Sequence, residues 1–271
     1  MEGMKMLSEI RRNPLLILFF ILGMVIVGYI IAALSHMLYS QLVLHPGEFI
    51  AVIKDPVVLQ SIWLTLYTSF IGTVIAVILG IPLAYILARY DFHGKDIIEA
   101  IVDIPIIIPH TVAGIALFSL LMKRGAVGTA FSKLGIVFQD NMWGIVMAMF
   151  FVSCPFFVGT AREGFKSVNP NLERVARTLG ASQWESFYQI ALPLTFRHIF
   201  SGAIMSWARG ISEFGAIIIL AYYPMIASTL ILARFNTNGL QGSQPIAVLL
   251  IMVCFVTFVV LRLISKRGAK R

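Results

Sequence analysis

The sequence predicts an all-α, polytopic membrane protein with six transmembrane helices. Of its 271 residues, 59% are hydrophobic and only 13% are charged, and the mean hydropathy is +0.89. A soluble domain of this length needs a more polar surface than this composition provides. The basic residues lie mainly at the ends of long apolar runs, which is typical of helices that cross a bilayer.

Six apolar runs reach the ~20 residues that an α-helix needs to cross a bilayer. The second is long enough to tilt or to extend into water. The third contains Pro105 and Pro109, which each remove a backbone donor and crowd the preceding turn, so we expect this helix to kink or unwind locally. The predicted spans are residues 14–38, 56–88, 97–122, 142–165, 199–221 and 245–264.

The chain divides into a core and two flanking parts. Residues 1–55 hold a basic N-terminal segment, the first span and an outer loop; residues 56–264 form the membrane core; residues 265–271 form a basic tail. The apolar and charged residues of segment 1–12 fit an amphipathic helix lying on the inner membrane surface. They fit a frayed basic terminus equally well.

The basic residues predict the orientation of the spans. If the N-terminus lies inside, fifteen of the 21 Lys and Arg residues flank the inner ends, five lie in outer loops, and Arg209 lies within a span. Because Lys and Arg are enriched on the cytoplasmic side, we expect both termini in the cytoplasm of a cell-membrane protein. The same bias places residues 166–198, here named the polar segment, in the cytoplasm.

The polar segment begins with a helix signal. Asn169 is a good N-cap residue, and Pro170 is favoured at the first helical position. We expect this helix to run to Leu179 and to stop at Gly180, where a left-handed backbone is not strained by a side chain.

A second helix should follow at once. Ser182 and Glu185 have the spacing of a capping box, and we expect the helix to end before Pro193. Two short helices around a glycine would form a compact knob on the membrane face. Such a knob is typical of a membrane protein that is driven by a soluble partner.

The fifth predicted span carries two charges four residues apart, Arg209 and Glu213. Charges in hydrocarbon are costly, so we expect both to face the protein interior and each other. Small residues beside them, including Ser212 and Gly215, leave room for a polar path. Either Arg209 meets an anion in a translocation path, or the pair only fixes the fifth helix internally.

The proline-containing part of the third span is a second candidate for a path or gate. Freed carbonyls together with Thr111 and Gly114 could line it. The alternative is a static kink used for packing. His110 is either a pH-sensitive group or a histidine with an ordinary hydrogen bond.

Several site types are not indicated. The two cysteines lie in apolar spans and imply no disulfide framework. The net charge of +8 is explained by membrane-flanking residues and does not indicate nucleic acid. The sequence has no GxxxxGK[ST] phosphate loop, metal-ligand spacing or nucleophile motif. We therefore expect no catalytic residue, metal or cofactor on this chain, and any ATP and Mg²⁺ on a separate ATPase.

The polar segment resembles the signature loop of ABC importer permeases. In that family an E-A-A triplet is followed after three residues by G, then after nine residues by I-x-L-P. Gly180 and Ile190-Ala191-Leu192-Pro193 match, and the triplet falls on Arg174, Val175 and Ala176, with Glu173 one position early.

Two further motifs resemble permeases for tetrahedral oxyanions. Ser212-Glu213-Phe214-Gly215-Ala216 is similar to their E-F-G-A segment. Pro105 to Gly114 resembles their third-span P-L-V-L-P-P-T-V-A-G motif, with His110 in place of a proline. The stretch from Ile219 to Pro224 is most similar to the archaeal molybdate/tungstate branch.

The resemblance implies a type I ABC importer permease fold and a homodimer in the bilayer. It implies two ATPase subunits docked to the polar segments, an extracytoplasmic oxyanion-binding protein, and no nucleic acid. The residues expected to couple to the ATPase are Asn171, Leu172, Glu173, Arg174, Val175, Ala176, Arg177, Thr178, Leu179, Gly180 and Ala181. The residues expected in the path or gate are Pro105, Pro109, His110, Thr111, Gly114, Arg209, Ser212, Glu213, Phe214 and Gly215.

Other functions stay open at this point. Sulfate or thiosulfate is the alternative substrate. An ion-gradient-driven secondary transporter is the alternative mechanism, and it would leave the polar segment unexplained. A membrane-embedded enzyme could use Asp103, His110 and Glu213, but no motif supports it. Since the spans offer few free cations, we expect a low-affinity path whose selectivity lies in the binding protein.

Overall fold

The computed structural model describes residues 13–268, with residues 262 and 264–268 described by their backbone alone. Within these residues the regular structure is entirely helical. The predicted amphipathic segment 1–12 and residues 269–271 of the predicted tail lie outside them. The helices are α1 (Pro14–Tyr39), α2 (Pro46–Lys54), α3 (Pro56–Arg89), α4 (Lys95–Ile107), α5 (His110–Leu121), α6 (Gly128–Ser132), α7 (Met142–Ser167), α8 (Pro170–Thr178), α9 (Gln183–Ser186), α10 (Leu192–Ile211), α11 (Ile217–Leu220) and α12 (Ala227–Gly268), with π-helical turns at Ser40–Leu44 and Phe187–Ala191.

Within residues 13–268, four helical stretches are long and apolar enough to cross a membrane. They are Pro14–Leu44, Pro56–Arg89, Met142–Ser167 and Ala227–Leu261. The bent pair α4 and α5 adds a fifth if it is taken as one span. The protein is thus a multi-pass membrane protein, in which two of the six predicted spans depart from a continuous helix.

The third predicted span is broken, as expected from its prolines. Helix α4 ends at Ile107 and α5 begins at His110, and the two directions differ by 113°. Ile108 and Pro109 between them are extended, because the ring of a proline disfavours the helical conformation in the preceding residue. Pro105, in contrast, is accommodated inside α4 and buried.

The prediction of one continuous helix at 199–221 is wrong. Helix α10 ends at Ile211, residues 212–216 form a turn, and the four-residue helix α11 follows. The reason is local: Glu213 Oε1 accepts a hydrogen bond of 2.8 Å from the backbone N–H of Ala216. A side chain that bonds nearby backbone competes with the helical pattern.

The prediction that the second helix of the polar segment ends before Pro193 is also wrong. Helix α9, the π-helical turn Phe187–Ala191 and α10 follow one another without a break. The N–H of Leu192 donates to the carbonyl of Phe187, five residues back. This wider turn places Pro193 at the start of a new α-helical stretch, where its missing N–H is tolerated.

The sixth predicted span, residues 245–264, lies inside a longer helical element. Helix α12 begins at Ala227 and is interrupted at Gly239, whose φ of 63° and ψ of −148° are not helical. Such a backbone conformation is open to glycine alone. The bend therefore divides α12 into two helical parts joined at a glycine.

The core lies along α7, which packs against both α3 and α10. Met149 and Ile217 belong to a buried cluster between α5, α7 and α11, and Phe157 belongs to a second one between α3, α7 and α10. A third cluster joins α3 to α12 through Ile62 and Ile246. No side chain of α1 is buried, so its apolar surface faces the bilayer or another chain.

Candidate functional site

The third and fifth predicted spans, both broken in the structure and named here the broken spans, meet at a group of polar side chains. This group is named the charged cluster and consists of His110, Arg209, Ser212 and Glu213. His110 opens α5, Arg209 lies in the last turn of α10, and Ser212 and Glu213 lie in the turn after it. Arg209 Nη2 lies 3.1 Å from Glu213 Oε2 and 2.8 Å from His110 Nε2. His110 Nδ1 lies 3.2 Å from the same carboxylate oxygen.

Glu213 is the buried centre of the charged cluster. Its side chain is 1% exposed, and both of its carboxylate oxygens have partners. Oε1 accepts from the N–H of Ala216, while Oε2 faces Arg209 and His110. Its backbone carbonyl accepts a hydrogen bond of 3.3 Å from Ser228 Oγ at the start of α12. Glu213 therefore ties α5, α10, α11 and α12 together.

Arg209 is paired in this structure. Its second terminal nitrogen, Nη1, donates to Ser212 Oγ at 3.0 Å, and Ser212 Oγ donates to the carbonyl of Arg209 at 2.9 Å. The internal ion pair expected as one alternative is thus present. The Arg209 side chain keeps 19% of its surface exposed, so one edge of the charged cluster is open.

Two glycines allow the broken spans to pack closely against each other. A Cβ on Gly215 would lie 2.6 Å from the Cβ of His110, and a Cβ on Gly114 would lie 2.9 Å from the Cα of Ala216. Both distances are too short for a real side chain. Gly114 is buried and packs against Ala216.

The other residues expected in the path or gate are spread around the charged cluster. Pro109 and Thr111 are exposed, on either side of His110. Phe214 is half-buried in the turn that holds Glu213. Pro105 is buried in α4 and does not join the cluster. The structure therefore brings together the residues next to the helix breaks and leaves the first proline apart.

The predicted cap residues of α8 are confirmed. Asn169 Oδ1 accepts a hydrogen bond of 2.9 Å from the N–H of Asn171, and Pro170 is the first helical residue. The helix ends at Thr178, and Gly180 has φ +101°, in the region that favours glycine. No atom lies within 4 Å of a Cβ built at Gly180, so only the backbone conformation selects glycine there.

The predicted capping box is also confirmed. Ser182 Oγ accepts from the N–H of Glu185 at 3.2 Å, and Glu185 Oε2 accepts from the N–H of Ser182 at 2.6 Å. The backbone hydrogen bond from Ser182, followed by its side-chain hydrogen bond, lowers the pKa of Glu185 below its usual 4.5. The charged carboxylate therefore closes the start of α9 near neutral pH.

Glu173 points inward, toward the membrane helices. Its Oε1 accepts a hydrogen bond of 2.7 Å from Arg89 Nε, and its Oε2 accepts one of 2.6 Å from Tyr85 Oη. Arg89 Nη1 also donates to the carbonyl of Phe165 at 2.6 Å. This group, named here the anchor, fixes α8 to the ends of α3 and α7.

Sequence reasoning missed Arg89 and Tyr85 as partners of the polar segment. Both lie about 85 residues away from Glu173 in the chain, at separations of 84 and 88. In the sequence Arg89 is one of the basic residues that flank the inner end of a predicted span, and no local pattern links it to Glu173. The long-range pairing became visible only in the folded chain.

The opposite face of the polar segment carries apolar side chains in solvent. Leu179 is 84% exposed, Val175 56% and Leu172 47%. Exposed apolar groups of this size on a polar segment are typical of a contact surface. Of the other residues expected to couple to an ATPase, Asn171, Arg174, Arg177, Thr178 and Gly180 are exposed, and Ala176 and Ala181 are half-buried.

Comparisons with known proteins agree on one family. Residues 80–269 match the family described as the inner membrane component of binding-protein-dependent transport systems. The molybdate/tungstate transport system permease protein WtpB of Thermococcus kodakarensis is 44% identical over 96% of this chain and 100% of that protein. WtpB of Methanocaldococcus jannaschii is 41% identical over 82% of this chain and 87% of that protein. A probable sulfate transport system permease protein of Anthoceros angustus is 34% identical over 75% and 72%.

Solved structures give the same fold. A chain of a bacterial ABC transporter involved in the import of the acidic polysaccharide alginate has a TM-score of 0.74 at 19% identity, over 97% of this chain and 99% of that chain. An amino acid ABC transporter gives a TM-score of 0.56 at 15% identity, over 82% and 98%. The break between α4 and α5, the interruption after α10 and the anchored polar segment thus occur in an ABC importer permease fold, and the chain belongs to the family of inner membrane components of binding-protein-dependent transport systems.

Proposed function

We propose that this chain is the permease subunit of an ATP-driven importer that moves molybdate or tungstate into the cell. The observation that carries the proposal is the 44% identity to a molybdate/tungstate permease along that protein's whole length. Identity to the sulfate permease is lower and covers less of both chains, which makes sulfate or thiosulfate the second candidate substrate.

The proposed assembly contains two copies of this chain, two ATPase subunits and an extracytoplasmic binding protein. ATP and Mg²⁺ belong to the ATPase in this proposal, and the permease has no catalytic residue. A fold relative was solved in complex with a periplasmic protein that carries an alginate pentasaccharide, which supports the last partner. The apolar surface of α1, none of which is buried in the single chain, supports contact with lipid or a second copy.

We place both termini in the cytoplasm and count the broken third and interrupted fifth segments as spans, so that the chain crosses six times. The distribution of Lys and Arg supports this topology. It puts the polar segment on the ATPase side of the membrane. The domain boundaries proposed from the sequence, 56–264 for the core and 166–198 for the polar segment, follow from the same topology.

The ATPase contact is proposed to be the outward face of α8. Leu172, Val175 and Leu179 offer an apolar surface that suits a groove on a soluble partner. A shallow cleft beside α8 is lined by Leu172, Val175 and Pro193. On the inward side, the anchor holds α8 to α3, so movement of α8 acts on the membrane helices.

A continuous helix links the polar segment to the charged cluster. From Gln183 to Ile211 the chain runs through α9, the π-helical turn and α10, a distance of about 40 Å at 1.5 Å per residue. Arg209 lies at its far end, paired with Glu213 and close to the break in the third span. We propose that displacement of α8 by the ATPase moves this helix and shifts the charged cluster, which opens or closes the pathway.

Both carboxylate oxygens of Glu213 already have partners within the fold, and this argues against the enzyme alternative. A catalytic carboxylate must reach substrate, whereas Glu213 is 1% exposed and uses both oxygens within the fold. The pairing of Arg209 likewise supports a path that binds the anion weakly. Submicromolar binding of molybdate by the purified permease alone would contradict that weak path.

The function can be tested by reconstitution with the ATPase subunits and the binding protein in proteoliposomes. We expect uptake of labelled molybdate or tungstate to require ATP, and excess sulfate to compete weakly. Leu179→Asp should lower uptake about tenfold or more, since it places a charge in the proposed contact. Leu134→Asp is the matched control, because Leu134 is 75% exposed in a loop outside the polar segment. Uptake driven by an ion gradient without ATP would favour the secondary transporter.

A further inference from the structure

A small polar cavity lies between the inner end of α3 and the polar segment. It has a volume of about 180 Å³, and its lining includes Arg89, Tyr90, Glu173, Arg174, Arg177 and Gln183. Sites for drug-sized ligands occupy roughly 300–1,000 Å³. This cavity therefore suits a small ligand, and its three guanidinium groups against one carboxylate set the sign of the ligand's charge.

The single carboxylate does not neutralise the cavity. Glu173 directs one oxygen to Arg89 and the other to Tyr85, so its charge is already matched by Arg89. Arg174 and Arg177 lie three residues apart on α8 and are both exposed. Two positive charges of the lining thus remain without an acidic partner in the lining itself.

Arg89 supplies an independent observation. Its side chain is 8% exposed, and two of its nitrogens donate, to Glu173 and to the carbonyl of Phe165. The third nitrogen, Nη2, is buried and has no hydrogen-bond partner within residues 13–268. A buried guanidinium nitrogen without an acceptor is unfavourable. Because almost none of the surface of Nη2 is accessible, a bound oxygen would satisfy it only after a small reorientation of the Arg89 side chain toward the cavity.

From this geometry we propose that the cavity binds a tetrahedral oxyanion carrying up to two negative charges, such as phosphate or sulfate. Guanidinium groups match the oxygens of such anions, and here they approach from α3 on one side and α8 on the other. The Gln183 amide, which donates to Tyr90 Oη at 2.9 Å, closes a further side of the cavity.

The site has a consequence for the polar segment. An anion held by both Arg89 and the arginines of α8 joins the membrane helix to the polar segment beside the anchor. By linkage, any movement of α8 that opens the cavity weakens anion binding, and bound anion opposes that movement. The anion can be free in the cytoplasm or belong to a phospholipid headgroup, because both present the same oxygens.

The test uses the purified full-length permease in phosphate-free, delipidated detergent, without ATPase, nucleotide or binding protein. Inorganic phosphate and sulfate are titrated by calorimetry, with chloride as the comparison anion. We expect saturable binding of the oxyanions and an affinity about tenfold lower in the double variant Arg174→Gln/Arg177→Gln. The control variant Lys123→Gln/Arg124→Gln removes two exposed charges of a loop outside the polar segment and should bind as the wild type does.

Native mass spectrometry of permease extracted from anionic phospholipid nanodiscs distinguishes a free anion from a phospholipid headgroup as the ligand. Retained phospholipid that is displaced by phosphate and lost in the double variant identifies the headgroup; binding of free anion alone identifies the cytoplasmic source. Both results support the site. Absence of saturable binding, or equal binding by wild type and double variant, overturns it. Transport is not measured, so failure here leaves the proposed function untouched.

Discussion

Arg89 Nε donates a hydrogen bond of 2.7 Å to Glu173 Oε1, and both side chains are more than nine-tenths buried. This pair joins the C-terminal end of the membrane helix α3 to the first helix of the polar segment. Ion pairs at this depth give little net stability when intact, but removal of one partner leaves a buried charge. The pair therefore serves to fix the position of α8 more than to stabilise the fold.

Replacement of Glu173 by Gln should strongly destabilise the anchor. Loss of the carboxylate leaves the Arg89 charge uncompensated, and breaking a buried pair costs about 3–5 kcal/mol. We expect a clear fall in the thermal midpoint of the purified permease and loss of ATP-coupled uptake. Glu163→Gln is the control: Glu163 is 60% exposed and contacts Lys166 at the surface, where a pair contributes about 0–1 kcal/mol. Equal midpoints for the two variants would contradict this role of the anchor.

The effect of a substitution at Gly180 should depend on how readily the new residue adopts a positive φ, and not on the size of its side chain. Its φ is +101° and the space around it is open, so Ala or Val costs about 1–2 kcal/mol of strain, whereas Asn, which adopts positive φ more readily, costs less. We expect ATPase association to follow the order Gly, Asn, Ala, Val. Gly28→Ala, at a helical glycine with equally open space, should be neutral or slightly stabilising. A Val variant that associates as well as Asn would contradict the argument.

Local features of the polar segment were predictable, because caps and glycine signals act within a few residues. Asn169, Gly180 and the Ser182–Glu185 box all have the predicted roles in helix ends. The break at Pro109 was predictable for the same reason. The interruption after Ile211 was not, since it depends on Glu213 turning its carboxylate to the N–H of Ala216.

Contacts between distant parts of the chain could not be predicted from the sequence. The π-helical turn at Phe187–Ala191 lets the helix pass Pro193, which as a sequence signal indicates a helix end. The partners of Glu173 lie on a helix about 85 residues earlier, at separations of 84 and 88. Pairing of Arg209 with Glu213 was expected from their i, i+4 spacing, but the contribution of His110 required the meeting of two broken spans.

The close approach of the two broken spans predicts a steric effect of single methyl groups. Gly114→Ala and Gly215→Ala each place a Cβ within 3 Å of the facing segment, and overpacking of this kind costs about 1–3 kcal/mol. We expect lower thermal midpoints and impaired uptake for both. Gly159→Ala in α7 adds the same methyl group where no atom lies within 4 Å, so it should leave both quantities unchanged. Normal uptake by Gly215→Ala would show that opening and closing of the pathway do not depend on this contact.

The capping box predicts a dependence on acid pH. Because the pKa of Glu185 is lowered in the fold, its carboxylate stabilises the start of α9 above the usual value of 4.5. That stability is lost as pH falls through the lower folded value. Glu185→Gln keeps a side chain that can accept from Ser182 but does not titrate. The difference in thermal midpoint between wild type and variant should therefore shrink as the pH falls from 7 to about 3; a constant difference would contradict the assignment.

The two roles considered for Arg209 predict different results for a paired substitution. Arg209→Gln leaves the Glu213 carboxylate, 1% exposed, without its cation, and should lower stability by about 3–5 kcal/mol. Adding Glu213→Gln removes the orphaned charge, so the double variant should regain most of the thermal midpoint. If Arg209 acts only through this pair, ATP-driven uptake recovers together with stability. If Arg209 also meets the anion through its exposed edge, the double variant folds well but transports poorly. Measurement of thermal midpoint and uptake on the wild type, the single variant and the double variant therefore separates an internal ion pair from a contact with the transported anion, since only the second requires a positive charge at this position.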